Sequence, residues 1–206
     1  MAEPAYPLAF PGESDERVWP EQGSWTYEDY ARLPEDGRRY EVIRGFLYVT
    51  PAPGLEHQFC VTELARRFGN FVAKRRLGMV LVAPFDVRLP DSIASPVQPD
   101  ILFFLNGNLP RPGGRGFDGV PDLVVEVLSP GTRSYDERVK LAAYRDAGVP
   151  EVWMPDWKRW TVTVYRLDRD RKKYVVLERA GSGETVGSAV LAGLRIPVDS
   201  IFLPSR

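Results

Sequence analysis

The sequence predicts an α/β or α+β domain in which a mixed β-sheet is flanked by helices. Apolar residues recur at helical spacing from His57 to about Arg76, which indicates one long amphipathic helix. The segment from Leu123 to Leu128 is apolar apart from one residue, as is typical of a buried central strand. A second helix, expected to begin at Ser134 and end at Gly148, separates this strand from another at 151–154. A helix between two such strands favours a parallel pair joined by a crossover.

The other elements are predicted from short apolar runs between turn residues. Ser24 or Thr26 is expected to cap a short helix, and a hairpin follows, with its turn at Arg44 and Gly45. Gly78 is expected to end the long helix. Further strands are expected at 80–89, 97–105, 160–167 and 174–178, with a mobile glycine-rich loop at 106–120.

The length of the chain favours one domain with extensions. It has 206 residues, of which 44% are hydrophobic and 27% are charged, an ordinary globular composition. Residues 1–24 are rich in Pro, Gly and Glu and are predicted to form a tail or loosely attached arm. Residues 25–206 are predicted to form the single folded domain.

Composition also narrows the classes of function. A single cysteine, Cys60, excludes an internal disulfide, and with one histidine a Cys/His zinc cluster is excluded as well. The net charge of −1 provides no global field for nucleic acid, so a polyanion would need a local basic patch. No apolar run is long enough for a membrane helix, and the acidic N-terminal region does not look like a signal peptide. We therefore expect a cytoplasmic protein without membrane contact.

Two acidic residues stand where the pattern expects apolar ones. Glu126 interrupts the run Leu-Val-Val-Glu-Val-Leu, and Asp100 leads directly into the run Ile-Leu-Phe-Phe-Leu. A buried carboxylate costs several kcal/mol unless a cation or a proton neutralises it, roughly 3–5 kcal/mol when its partner is removed. These acids therefore predict a cationic partner nearby.

Three other polar residues are predicted to face inward. At about 100° per residue, Lys140 falls on the apolar arc of the second helix and should point toward the sheet. His57 lies on the apolar arc of the long helix, at its start, and Glu41 shares a hairpin face with apolar residues. The sequence therefore predicts three acids and one amine on the inner faces of separate elements.

This set suits metal-assisted phosphodiester hydrolysis. Paired carboxylates hold a divalent ion, which lowers the pKa of a bound water, and a nearby ammonium stabilises the charge that develops. Structural interpretations stay open for each residue. Glu126 and Lys140 can form a purely structural ion pair, and His57 can be a hydrogen-bonded core residue. Glu41 and Asp100 can be charges at the ends of strands.

Several motifs together resemble a known family. They are Arg-Tyr-Glu-Val-Ile-Arg-Gly-Phe-Leu-Tyr-Val (39–49), the helix beginning at His57, Val-Gln-Pro-Asp-Ile-Leu (97–102), Pro-Asp-Leu-Val-Val-Glu-Val-Leu-Ser-Pro (121–130), Lys140 and Gly-Val-Pro-Glu-Val-Trp (148–153). Over about residues 25–203 the chain resembles the Uma-two family of restriction endonucleases, in the PD-(D/E)xK nuclease superfamily. The resemblance implies a restriction-endonuclease-like core.

The resemblance also implies roles for particular residues. Asp100 and Glu126 match the two metal-binding acids, and Glu41 matches an early acid that completes the metal shell. The superfamily lysine would stand at Leu128, and in this family it looks relocated to Lys140. By analogy, the carbonyl of Val127 is a further metal ligand. His57 matches a family position as a water relay, a phosphate contact or a support for a ligand.

The resulting hypothesis is a Mg²⁺- or Mn²⁺-dependent endonuclease that acts on DNA, with a homodimer permitted. Two alternatives stay open: a nucleic-acid-binding protein of the same fold with little or no cleavage, and a protein-interaction subunit with purely structural ion pairs. Near-neutral charge and Leu128 favour the binding protein. Candidate phosphate contacts, which would make binding fall with salt, are Arg111, Arg115, Arg133 and the basic segment Lys74-Arg75-Arg76.

Overall fold

A computed structural model describes residues 19–112, 114 and 116–204 of the chain. Residues 1–18 of the predicted N-terminal arm lie outside this description. The rest of the arm is attached to the domain, because the Gln22 side chain accepts a hydrogen bond from the backbone N–H of Leu47 and donates one to its carbonyl. Trp19 also stacks on Trp25, with ring centroids 5.5 Å apart.

The described residues form strands, helices and short helical turns in a mixed order. The helices are α1 (Tyr27–Tyr30), α2 (Leu55–Arg75) and α3 (Leu141–Ala147), with a π-helical turn (Tyr135–Lys140) leading directly into α3. The strands are β1 (Arg39–Ile43), β2 (Phe46–Thr50), β3 (Gly78–Val82), β4 (Asp86–Leu89), β5 (Ala94–Val97), β6 (Ile101–Leu105), β7 (Gly116–Asp118), β8 (Leu123–Val125), β9 (Glu151–Asp156), β10 (Thr161–Asp168), β11 (Lys173–Ala180), β12 (Thr185–Gly187) and β13 (Arg195–Pro197).

The strands assemble into two main sheets and a two-stranded ribbon. The six-stranded sheet has the order β11-β10-β9-β8-β6-β3, and the five-stranded sheet has the order β2-β1-β5-β4-β7. Strands β8 and β9 are parallel and joined through α3, whereas β6 pairs antiparallel with β8. The predicted α+β architecture with a mixed sheet and flanking helices is confirmed.

The six-stranded sheet carries a hydrophobic core on each face. Leu123 and Val125 pack with α2, while Val124 between them packs with α3 on the other side. This alternation follows from the two-residue period of a strand. On the α2 side, Phe68 meets the ring of Trp153 edge to face, with centroids 5.2 Å apart. The core therefore fixes both helices against the strands that precede the candidate site.

Two predicted strands are each divided between the two sheets. The predicted strand 80–89 is β3 and β4, separated by Pro84, and the predicted strand 97–105 is the end of β5 and all of β6. Proline lacks the N–H that forms hydrogen bonds between strands. The prediction of uninterrupted strands through these positions was therefore wrong. The segment 98–100 instead carries the chain from the five-stranded sheet to the six-stranded sheet.

Several predicted element boundaries were also wrong. Arg76, not Gly78, adopts the left-handed conformation that ends α2. Gly78 begins β3, where an added Cβ would lie 1.9 Å from the carbonyl oxygen of Phe104. Ser134 makes no side-chain cap, because its backbone is already helical and not in the extended conformation of a cap residue. Within the predicted loop 106–120, β7 pairs in parallel with β4, and residues 113 and 115 lie outside the described part.

The hairpin and the first helix form as predicted. Strands β1 and β2 pair antiparallel around Arg44 and Gly45, and Thr26 caps α1 in a capping box with Asp29. In the described part of the chain, no helix combines the length and the apolar character needed to cross a bilayer.

Candidate active site

A cavity of about 210 Å³ brings together the polar residues that the sequence singles out. It is lined by β1, the start of α2, the segment 98–100, the residues after β8 and the π-helical turn. All five predicted catalytic residues line it, together with Val127: Glu41, His57, Asp100, Glu126 and Lys140. The structure thus brings these side chains together, and their chemical roles stay predictions.

Strand register places the two predicted metal-binding acids side by side. Strand β6 pairs with β8 so that Ile101 lies opposite Val125. The next position along each strand is Asp100 on one and Glu126 on the other, just beyond the paired residues. Opposite positions on antiparallel strands have Cβ atoms about 5 Å apart. The ends of these two strands therefore bring both carboxyl groups to one edge of the sheet.

Lys140 is the cation at the centre of the site. Its side chain is 3% exposed, and its Nζ lies 2.6 Å from Oε1 of Glu126 and 3.1 Å from Oε1 of Glu41. Burial acts to lower the pKa of Lys140, but the charges of Glu126 and Glu41 outweigh it and hold the pKa above its usual value. Lys140 is therefore an ammonium ion at neutral pH.

Glu126 is buried directly after β8. Its Oε1 contacts Lys140 and accepts a hydrogen bond from the Tyr144 hydroxyl. Burial raises the pKa of Glu126 above its usual value, and the charge of Lys140 lowers it only in part. No described residue donates a hydrogen bond to its Oε2, which leaves that oxygen for a ligand.

Glu41 is completely buried, and both of its oxygens are hydrogen-bonded. Oε1 accepts a hydrogen bond of 2.6 Å from the backbone N–H of Gln98 and contacts Lys140. Oε2 accepts a hydrogen bond of 2.9 Å from the Tyr135 hydroxyl. These contacts tie Glu41 to Lys140 and to the segment 98–100.

Asp100 is held as a carboxylate by three donors. Arg39 Nη1 lies 3.0 Å from Oδ1, and His57 Nε2 and the backbone N–H of Val127 lie 3.1 and 2.9 Å from Oδ2. Burial acts to raise the pKa of Asp100, but the His57 hydrogen bond and the Arg39 charge outweigh it. The pKa of Asp100 therefore lies well below its usual value.

The walls of the cavity also contain polar atoms without partners. These buried atoms are Arg39 Nε and Nη2, His57 Nδ1 and Trp157 Nε1. An unpaired buried polar group costs about 1–3 kcal/mol, so such atoms tend to cluster where a polar ligand binds. Three of the four are N–H donors, the type of group that an anionic oxygen would satisfy.

The donor set of the site fits Mg²⁺ or Mn²⁺ better than a metal that needs many protein ligands. Among the described residues, no group of three or more His, Cys, Asp or Glu side chains is arranged to hold a metal ion. Mg²⁺, however, is commonly held by one or two carboxylates and several waters. Asp100 and Glu126, with the carbonyl of Val127, could provide such a partial shell.

The candidate nucleic-acid residues that the structure describes do not line the cavity. Arg133 does not line it and instead pairs with Asp156 and with Glu137. Arg111 is exposed, and Arg115 lies outside the described residues. The basic segment 74–76 is exposed at the far end of α2 from His57, about 25 Å along the helix axis at 1.5 Å per residue.

Sequence reasoning missed several residues of the site. Arg39 pairs with Asp100, and Tyr144 donates to Glu126. Tyr135 is 3% exposed and donates to Glu41. Asp136 lines the cavity and was not singled out. Tyr144 and Asp136 share the apolar arc with Lys140 and could have been found there. Arg39 lies two residues before Glu41 on β1 and so shares its face.

The fold and the site together define the class of protein: a restriction-endonuclease-like α+β domain with paired acids at the ends of neighbouring strands and an inward-facing lysine. The chain belongs to the Uma2 family, described as "Putative restriction endonuclease", whose family model matches residues 27–199. The family association implies a nuclease and therefore a nucleic acid substrate.

Comparison with solved structures supports the same fold. The chain is similar to a crystal structure from Anabaena variabilis described as a "putative nuclease belonging to DUF820". The two share 20% sequence identity and a TM-score of 0.72, covering 86% of this chain and 97% of that chain. At this identity the likeness concerns the fold alone. No curated protein matches the chain in sequence.

The contacts of Lys140 predict a pH-dependent loss of stability in Lys140→Met. This change leaves Glu41 and Glu126 buried without their cation and should lower the free energy of unfolding by about 3–5 kcal/mol at pH 8. The loss should shrink at pH 5, because the folded variant then binds protons that the unfolded chain does not. Urea unfolding at both pH values measures this.

Two variants control for the effect on stability. Lys158→Met removes an exposed lysine and should change the free energy of unfolding by no more than about 0.5 kcal/mol. The double variant Glu126→Gln/Lys140→Met should lose less stability at pH 8 than Lys140→Met alone. Equal losses for Lys140→Met at pH 5 and pH 8 would contradict the assigned ion pairs.

Proposed function

We propose that this protein is a metal-dependent endonuclease that hydrolyses DNA phosphodiester bonds with a metal-activated water. The observation that carries the proposal is one cavity lined by Asp100, Glu126 and the Lys140 ammonium. The carboxylates supply the oxygen ligands that Mg²⁺ and Mn²⁺ prefer, and the ammonium supplies fixed positive charge. The Uma2 family association supports the same class of reaction.

Asp100 and Glu126, with the carbonyl of Val127, would hold Mg²⁺ or Mn²⁺. Such an ion lowers the pKa of a bound water and neutralises charge on the phosphate. The three donors around Asp100 keep it ionised over the physiological range, so this ligand needs no deprotonation before it binds. Glu126 offers its free Oε2.

Lys140 would orient the attacking water and stabilise the charge that develops on the phosphate. Because its pKa is held above the usual value, it acts as an ammonium and not as a base. Glu41 was expected to complete the metal shell. Its Oε1 contacts Lys140 and both of its oxygens are hydrogen-bonded, and we propose that it supports the ion by holding Lys140.

His57 would act as a support for a metal ligand. Its Nε2 contacts Asp100, and its Nδ1 is buried without a partner. Of the three roles that the resemblance allows, this contact favours the third, in which His57 orients the carboxylate of Asp100. Arg39 shares that role through the other oxygen of Asp100.

A second candidate function is a nucleic-acid-binding protein of the same fold with little or no cleavage. It is favoured by Leu128 at the position of the superfamily lysine and by the engagement of Lys140 with two carboxylates. The two candidates differ in one measurable property. A nuclease requires Mg²⁺ or Mn²⁺ and cuts plasmid DNA, whereas a binding protein would bind DNA without the metal and leave it intact.

Removal of either metal-binding acid should abolish metal-dependent cleavage. We expect Asp100→Asn and Glu126→Gln to lower the single-turnover rate on plasmid DNA with Mg²⁺ by roughly 10³-fold or more. Calorimetric titration with Mn²⁺ should show weakened binding in both variants. The exposed residue Asp170 provides a control, Asp170→Asn, which should keep the wild-type rate and affinity. Wild-type cleavage by Glu126→Gln would contradict the assignment.

The basic segment 74–76 and Arg111 are proposed to contact DNA phosphates. Replacing the three residues of the segment with Ala should reduce the slope of log affinity against log salt by roughly 2–3, because each lost phosphate contact removes about 0.9. Fluorescence anisotropy with a duplex oligonucleotide measures this. Replacing Arg169, Arg171 and Lys172 removes the same charge from a turn and is the matched control. An unchanged slope would remove segment 74–76 from the interface.

A further inference from the structure

Hydrolysis at this site requires a group that takes a proton from the attacking water. Lys140 cannot be that group. Its ammonium is held by Glu126 and Glu41, which keep it protonated. A base must instead be an acceptor that reaches the cavity and is free of a cation. This requirement applies if the proposed nuclease function is correct, so the inference rests on that function.

Four buried carboxyl groups line the cavity in the described part of the chain. Asp100, Glu41 and Glu126 each lie within 3.1 Å of a nitrogen of Arg39, His57 or Lys140. The fourth, Asp136, is 5% exposed and forms no ion pair with any described residue. It is thus the buried acid whose charge is least compensated by direct contact.

One oxygen of Asp136 is oriented by a short relay of hydroxyl groups. The Thr132 hydroxyl donates a hydrogen bond of 2.7 Å to Oδ2 of Asp136. Because that donation uses its only proton, Thr132 accepts the 2.9 Å hydrogen bond from the Ser129 hydroxyl. The relay fixes the carboxyl group while no described residue donates to Oδ1.

The free oxygen of Asp136 is open to the cavity. No described residue donates a hydrogen bond to Oδ1. Among the described residues, the polar atoms that are both fully buried and without a partner do not include Oδ1, so Oδ1 is in contact with solvent. His57 Nδ1 is such a buried atom and is closed to a water molecule. Asp136 and Lys140 are four residues apart in the π-helical turn, and both side chains line the same cavity.

We propose that Asp136 is a catalytic residue that accepts the proton of the attacking water. The water oxygen forms a bond to phosphorus, its proton passes to Oδ1 of Asp136, and the bond between phosphorus and the leaving ester oxygen breaks. The leaving oxygen then takes a proton from solvent, and Asp136 releases its proton to solvent. Lys140 holds the water and the developing charge without changing its own protonation.

The electrostatic surroundings of Asp136 are consistent with this role. The charged groups that face it are Lys140 on its own helix, Glu41 on β1, Asp100 in the segment 98–100 and Glu126 after β8. Burial raises the pKa of Asp136 to about 7, and the charge of Lys140 lowers it only in part. A base with such a pKa is matched to neutral conditions.

The test compares Asp136→Asn with wild-type protein. The amide oxygen of Asn can still accept the Thr132 hydrogen bond, so the fold should be kept. We expect the single-turnover cleavage rate with Mg²⁺ to fall by about 10²–10⁴-fold, with unchanged affinities for Mn²⁺ and duplex DNA. The wild-type rate should rise with pH up to about 7, and this rise should be smaller in Asp136→Asn. The neighbouring Glu137→Gln should behave like wild type.

A second measurement does not depend on cleavage. In the metal-free full-length protein, ¹³C NMR of the Asp carboxyl groups should show one titration near pH 7 that is lost in Asp136→Asn. A titration of Asp136 near pH 4, or wild-type cleavage by Asp136→Asn, would overturn the proposal. Inactive Glu126→Gln beside fully active Asp136→Asn would leave the nuclease function standing and remove only the base. A wild-type protein that does not cut DNA would overturn both.

Discussion

The buried ammonium of Lys140 is the interaction on which the rest of the site depends. It joins Glu41 on a strand of the five-stranded sheet to Glu126 at the end of a strand of the six-stranded sheet, and it comes from the helical segment between β8 and β9. Two carboxylates share one buried cation, so removal of the cation would leave uncompensated negative charge in a poorly solvated place. The relative positions of the two sheets and the helix at the site are thereby linked.

The segment 98–100 provides the second constraint. Within three residues the chain leaves one sheet and enters the other. The backbone N–H of Gln98 donates a hydrogen bond to Glu41, and the side chain of Asp100 accepts one from the backbone N–H of Val127. Asp100 is fixed by a backbone N–H and by the side chains of Arg39 and His57, whereas Glu126 keeps one oxygen free. The surroundings of Asp100 therefore hold it ionised before any ligand binds, whereas those of Glu126 do so to a smaller extent.

Much of the site could be predicted from sequence because periodicity reports which side of an element a residue faces. The inward direction of Lys140 and His57 followed from their helical arcs, and the burial of Glu126 followed from its apolar neighbours. Periodicity does not report where a strand changes sheets. Proline residues such as Pro84 marked those positions, but only the tertiary structure showed that β3 and β4 belong to different sheets.

Other parts of the site could not be predicted because they depend on contacts between distant segments. Arg39 reaches Asp100 across 61 positions, and Tyr135 reaches Glu41 across 94. Asp136 lies four residues before Lys140, so a helical wheel places both on one face, but only the tertiary structure showed that Asp136 lines the cavity. The expected ligand role of Glu41 likewise depended on the family resemblance, and only its hydrogen bonds indicated a supporting role.

The central claim is that Asp100 and Glu126 hold one divalent ion beside Lys140. The most direct test is a crystal of the protein soaked in Mn²⁺, with anomalous diffraction measured at the manganese edge. The account predicts one anomalous peak in the cavity, within bonding distance of an oxygen of each acid, and no such peak in Glu126→Gln. A soaked wild-type crystal without a peak between these carboxyl groups, diffracting well enough to show one, would contradict the account.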